Sequence, residues 1–130
     1  MRICVYARSA FDFDAGTSSI EQQKKYTAEY IRKNYPDAEF DPEKDVFCDP
    51  DTSGYHFNRL GYQNMKAAAL RGEYDVLVMN DIARLGRRIS LCGMEMDDLF
   101  SHGIRIVCCD GTDMYRGMNI KTLIHRLCVM

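Results

Sequence analysis

At 130 residues and 46% apolar composition, the chain suits one compact domain with its own core and leaves no room for a second. Its 17 basic and 19 acidic side chains give a net charge of −2, which excludes a chain held to a DNA duplex by its global field, so any phosphate binding must be local. The start at Met1-Arg2-Ile3-Cys4-Val5-Tyr6 is too short for a signal peptide, and no apolar run approaches the roughly 18 residues of a membrane span, so the expectation is a cytoplasmic protein without a membrane partner.

The first element is a short strand over Ile3 to Ala7, β-branched and aromatic, followed by a polar loop from Phe11 to Ser18. Ser18 and Glu21 form an S-x-x-E capping box that opens a weakly amphipathic helix ending near Pro36. A second strand falls at Asp45 to Cys48 and a polar loop at Asp49 to Gly54. Tyr62, Met65, Ala68 and Ala69 stand at helical spacing within Gly61 to Leu70, with Gly72 as the stop. Tyr74 to Met79 is apolar apart from Asp75, as in a strand buried on both faces.

Asn80 to Arg88 then carries Arg84 and Arg87 three apart, on one face if the segment is helical. A helix over Ser90 to His102 stops at Gly103, and Ile104 to Cys108 is a fourth strand. This alternation predicts an α/β fold: three layers, α/β/α, around a mostly parallel sheet of four to five strands. Ile120, Leu123, Ile124 and Leu127 then form an apolar stripe reaching Met130, a C-terminal helix that looks cut short. It is read as core packing or as a dimer seam. The expected division is a domain over 1–117 and the start of an oligomerisation helix over 118–130.

Ligands of open parallel sheets bind outside the carboxyl ends of the strands, which places Arg8, the loop Asp49 to Gly54 and the segment Asn80 to Arg88 at one edge. Guanidinium groups stay charged and match phosphate oxygens bidentately, so converging arginines with a hydroxyl nearby point to phosphoryl chemistry on a nucleic-acid backbone.

Five segments occur in order: Tyr6-Ala7-Arg8, Ser19 to Gln23 (SIEQQ), Phe47 to Gly54 (FCDPDTSG), Asn58 to Gly61 (NRLG) and Ala83 to Arg87 (ARLGR). Together they resemble the catalytic domain of the serine recombinases, the resolvase/invertase family, over roughly Met1 to Asp110. The resemblance implies a serine that attacks a DNA phosphodiester, leaving a 5′-phosphoserine link and a free 3′ hydroxyl, with arginines stabilising the charged transition state. It implies no cofactor and no small-molecule substrate, because the phosphoserine link conserves the bond energy for religation. The partners it implies are DNA and further copies of the chain, in a homodimer that pairs into a tetramer through the C-terminal helix.

Carried over by position, Arg8, Arg59, Arg84 and Arg87 match the family's active-site arginines, Gln23 its helix glutamine, and Asp49 and Ser53 the acid and serine of its loop. Two positions depart from the pattern. The family's nucleophile stands two residues after the first arginine, where this chain has Ala10; Ser9 is the shifted candidate, although strand alternation turns it away from Arg8 unless the strand ends there. Ala83 stands where many members have Asp or Ser. Two readings stay open: a recombinase that uses Ser9, and a non-catalytic recombinase-like remnant that only self-associates or regulates. Members normally continue along the long helix to a separate DNA-binding domain, which this sequence is not expected to contain.

The same residues also fit ordinary structural roles. Arg84 and Arg87 fit a solvated helix start, Gln23 a polar helix position, and Asp49 to Gly54 an ordinary turn. Six cysteines without a C-x-x-C pair fit reduced, packed thiols, and three scattered histidines lack metal-ligand spacing. A cysteine phosphatase is disfavoured because Cys109 and Arg116 are spaced one residue too far, without a glycine-rich cradle. A receiver or flavodoxin-like module would want acidic strand ends rather than arginines.

Overall fold

The computed structural model of the chain describes residues 1–9, 19–50, 59–86, 89–110 and 113–114. Strand β1 (Ile3–Arg8) leads to helix α1 (Ile20–Asn34), β2 (Val46–Asp49), α2 (Leu60–Leu70), β3 (Val76–Met79), a 3-10 turn (Ile82–Arg84), α3 (Ile89–Ser101), β4 (Arg105–Cys108) and β5 (Asp113–Met114). The sheet is five-stranded in the order β2-β1-β3-β4-β5. β1 pairs in parallel with β2 and β3, and β3 with β4, while the short β5 runs antiparallel to β4. The expected parallel α/β sheet is therefore present, and its carboxyl edge carries Arg8, Asp49 and Met79. The expected C-terminal helix over 118–130 lies outside the described residues.

Period-two alternation divides the core into two layers. Ile3, Val5, Val76, Val78 and Val107 pack with Ile31 of α1. Cys4, Tyr6, Leu77, Met79, Ile106 and Cys108 turn the other way, toward Tyr62 and Met65 of α2 and Cys92, Met96 and Leu99 of α3. Every residue of β1 and β3 is buried, which is why Ile3 to Ala7 and Val76 to Met79 are unbroken apolar runs. Arg8, at the end of β1, shares the parity of Cys4 and Tyr6.

Both glycine stops act as read. After α2, Gly72 has φ +85°; its N–H donates to the Ala69 carbonyl at 3.0 Å and that of Glu73 to Ala68 at 3.1 Å. After α3, Gly103 has φ +81°, with N–H donation from Gly103 to Phe100 and from Ile104 to Leu99. Each is the paired closure of a Schellman end, whose left-handed residue favours glycine.

The start of α1 differs by one residue from the expected box. Ser19, not Ser18, is the cap: its Oγ accepts the Gln22 N–H at 3.2 Å, and Gln22 Oε1 accepts the Ser19 N–H at 3.2 Å. A helix starting at Ile20 buries Gln23, Thr27 and Ile31 along one face, and that phase selects the frame. Ser18 itself lies outside the described residues. Ser19→Ala is expected to cost about 1 kcal/mol, read as a lower urea midpoint at unchanged slope. β2 likewise sits one residue later than expected, so Asp49 is its last residue rather than the first of a loop. Among the described residues no helix is long and apolar enough to cross a membrane.

Candidate active site

Three arginines separated widely in sequence meet where β1 ends. Arg8 has no exposed surface, Arg59 is 2% exposed and Arg84 5%. Long-range packing brings them together: Arg8 closes β1, Arg59 is the N-cap residue of α2, and Arg84 ends the 3-10 turn that follows β3. The alternative reading of Arg84 as part of a solvated helix start therefore fails.

Their donors are directed at main-chain carbonyls. Arg8 donates from Nη2 to the Ala83 carbonyl at 2.7 Å and from Nε to that of Arg84 at 3.2 Å. Arg59 donates from Nη1 to the Arg84 carbonyl at 3.4 Å and from Nη2 to that of Leu85. Arg84 returns the contact, giving Nη1 to the Arg8 carbonyl at 2.8 Å and Nε to Asp81 Oδ1 at 3.1 Å. Carbonyls of residues 83–85 thus hold Arg8 and Arg59, and the Arg8 carbonyl with Asp81 holds Arg84, since a buried charge must be hydrogen-bonded to be tolerated.

Gln23 holds the strand end. Its Oε1 accepts the Arg8 N–H at 3.2 Å and its Nε2 donates to the Arg8 carbonyl at 3.0 Å, so one side-chain amide pairs with both main-chain groups of one residue. Its neighbour one turn on, Thr27, donates Oγ1–H to the Gln23 carbonyl at 2.6 Å. Gln23 is fully buried, unlike a solvated helix glutamine.

Asp49, read as part of a polar turn, caps a helix whose bonded donors lie 12 and 13 residues away. Its Oδ1 accepts the Gly61 N–H at 2.8 Å, and its Oδ2 accepts the Tyr62 N–H at 2.8 Å and the Tyr6 hydroxyl at 2.7 Å. The N-cap residue of α2, Arg59, makes no side-chain cap of its own, so a carboxylate from β2 satisfies those donors and suits the positive end of the helix. Tyr6 then accepts Arg59 Nη1 at 2.8 Å, linking acid, phenol and guanidinium in one chain. Burial pushes the Tyr6 phenol well above the tyrosine range against the pull of Arg59, and the bond to Asp49 adds to the rise. It stays a neutral donor to the carboxylate.

Strand β1 ends at Arg8, which removes the alternation rule from Ser9. The Ser9 N–H continues toward β2, donating to the Asp49 carbonyl at 3.3 Å, and Ser9 is half-buried. Arg8, Gln23, Asp49, Arg59 and Arg84 are thus brought together with Ser9 beside them. Arg87, Ser53 and the departure at Ala10 lie outside the described residues. At the other departure, the Ala83 carbonyl takes a bond from Arg8 although its side chain cannot.

Among the described residues, neither Cys92 nor Cys109 is prepared to act as a nucleophile. Burial raises Cys92 to about 11 despite the charges of Arg59 and Arg8. Cys109 is raised to about 12 by burial and by Asp110 and Asp81, the reverse of what a cysteine phosphatase needs.

Tyr6, Gly61 and Asp81 lie within segments that pointed to the site but were not singled out as site residues, and Tyr62 lies outside all of them. Tyr6 was readable, because it stands two residues before Arg8 on one strand face. Tyr62, Asp81 and the close approach at Gly61 depend on packing between separate segments and leave no local signal.

The model of the family described as Resolvase, N terminal domain, matches residues 3–128. No curated protein matches the chain. Among solved structures, the N-terminal catalytic domain of TP901-1 integrase is similar with a TM-score of 0.74 at 18% identity, covering 99% of this chain and 92% of that one. A resolvase family site-specific recombinase from Streptococcus pneumoniae gives 0.70 at 19% identity, covering 99% and 84%. The C-terminal catalytic domain of ISC1926 TnpA, an IS607-like serine recombinase, gives 0.70 at 20%, covering 86% and 72%. At these identities the likeness is one of fold.

Proposed function

The chain belongs to the resolvase N-terminal domain family, and from that premise we propose that it is a serine recombinase catalytic domain that cuts and rejoins DNA with Ser9 as its nucleophile. The observation that carries this reading is the convergence of Arg8, Arg59 and Arg84 at the end of the strand that delivers Ser9. Ser9 Oγ attacks the scissile phosphorus, the bond to the 3′ oxygen breaks, and the hydroxyl proton passes through solvent to the departing 3′ oxygen. A 5′-phosphoserine link and a free 3′ hydroxyl remain. The guanidiniums stabilise the extra negative charge of the transition state, and the phosphate competes for them with the carbonyls of residues 83–85. Arg87 and Ser53 complete the proposed set, Asp49 and Gln23 hold the arginine-bearing elements, and no cofactor is required. Residues 118–130 begin the helix through which copies dimerise and pair into a tetramer on DNA, while residues 1–117 form the catalytic domain.

A second reading is favoured by Ala10, at the position where the family places its nucleophile, and by the engagement of the buried guanidiniums with main-chain carbonyls. In it the domain pairs with other copies without cutting. One experiment separates the two. The chain is incubated with a randomised duplex library carrying a nick, and covalent protein–DNA adducts are sought on a denaturing gel. Adduct from the native chain, reduced to background in Ser9→Ala, is expected. No adduct from the native chain but adduct from Ala10→Ser would establish the non-cutting reading, and adduct surviving Ser9→Ala would overturn both.

A further inference from the structure

Tyr62 lies outside every motif that points to the site, yet it contacts the arginine at the centre of it. The guanidinium carbon of Arg59 is 5.2 Å from the centre of the Tyr62 ring and 5.5 Å from that of Tyr6. The two rings meet edge to face, 5.6 Å apart at 77°. Such contacts attract the cation to the ring faces and narrow the orientations open to it.

Both ends of Tyr62 are tied. Its N–H donates to Asp49 Oδ2, the oxygen that also accepts from Tyr6. Its hydroxyl donates to Glu95 Oε1 of α3 at 2.6 Å, and the same oxygen receives Lys66 Nζ at 2.9 Å. Lys66 also reaches Asp98 Oδ2 at 2.9 Å. Lys66 stands one helical turn from Tyr62, and Asp98 one turn from Glu95, so a four-residue polar bridge joins α2 to α3 behind the arginine. Burial and the Glu95 bond drive the Tyr62 phenol far above the tyrosine range, which keeps it a donor.

Simple packing of two helices calls for an aliphatic residue here. A phenol, a carboxylate and an ammonium group pay desolvation that packing alone does not require, and what they add is a defined orientation. We propose that Tyr62 is a positioning residue for Arg59, with Glu95 as its anchor on α3, so that α3 sets the direction of a guanidinium serving the DNA phosphate. The role in DNA cleavage rests on the recombinase reading; the positioning of Arg59 does not.

The test uses the full chain, labelled for observation of the arginine Nε–Hε resonances. The Arg59 resonance is expected to stand away from the ordinary arginine position through ring currents. It should shift in Tyr62→Phe, which keeps the ring but loses the bond to Glu95, and shift further in Tyr62→Leu, which loses the ring. In Glu95→Ala it should shift as well, through the Tyr62 ring that Glu95 holds. On the nicked library, Tyr62→Leu is expected to slow adduct formation about 100-fold at unchanged DNA affinity. Tyr62→Phe, which keeps the ring and loses one hydrogen bond, should stay within about tenfold.

An Arg59 resonance unmoved by Glu95→Ala, or equal losses in the Phe and Leu variants, would overturn the assignment. If Tyr62→Leu fails to fold, Tyr62→Phe and Glu95→Ala decide it through the resonance. If the native chain forms no adduct, the recombinase reading fails while the resonances still decide the positioning.

Discussion

Asp49→Ala is expected to lower the stability of the chain by about 4 kcal/mol, because it removes three acceptor contacts from buried or half-buried donors at once. The Gly61 and Tyr62 N–H groups at the start of α2 lose their cap, and the Tyr6 hydroxyl loses its acceptor. No side chain from Arg59 replaces it, since the N-cap residue makes no cap bond. Each orphaned donor keeps its desolvation penalty, and the negative charge at the positive end of the helix goes with it.

Asp49→Asn should recover roughly half of that loss, because one amide oxygen can still accept while the NH₂ group opposes a donor. Tyr6→Phe combined with Asp49→Ala should cost less than the sum of the two, as residues of one network do not add. Guanidinium denaturation followed by circular dichroism reads all of these. An Asp49→Ala midpoint within about 1 kcal/mol of the native chain would remove the long-range cap from the account of α2.

How much of this was legible follows from where each determinant lies. The strands were readable because β1 and β3 are buried on both faces, and the ends of α2 and α3 because Gly72 and Gly103 must take positive φ. The cap of α1 was misplaced by one residue because S-x-x-E at Ser18 and S-x-x-Q at Ser19 are equivalent locally. Only the burial of Gln23, Thr27 and Ile31 chooses between them. For the site, spacing and resemblance led to Arg8, Gln23, Asp49, Arg59 and Arg84, which do converge. Their contacts were hidden, since the bonds from Arg8 to Ala83 and Arg84 span 75 and 76 residues. Asp49 looked like a turn residue for the same reason: the donors it satisfies belong to another element.

Gly61→Ala and Gly93→Ala make the same change in neighbouring helices and should move stability in opposite directions. Alanine in place of glycine inside a helix gains about 1 kcal/mol where nothing obstructs the methyl group. At Gly93 of α3 a Cβ meets nothing within 4 Å, so that gain is expected in full. At Gly61 the Cβ would stand 2.3 Å from the Cys48 carbonyl oxygen, 2.8 Å from its carbon and 2.9 Å from Asp49 Oδ1. Two of those atoms are main chain of β2, whose Cys48 and Asp49 pair with Ala7 and Arg8 of β1, so the strand has no room to retreat.

The helix must move instead. That movement stretches both cap bonds to Asp49 and carries Arg59, two residues earlier, away from the carbonyls of residues 84–85. Overpacking of this kind costs about 3 kcal/mol, which outweighs the helix gain and leaves a net loss of about 2 kcal/mol. If the chain cuts DNA as proposed, the same displacement should reduce adduct formation by about 100-fold, since misplacement by about 1 Å is enough for that. Paired denaturation curves test the sign, and a Gly61→Ala chain as stable as Gly93→Ala would show that α2 does not lie against β2 as closely as this geometry requires.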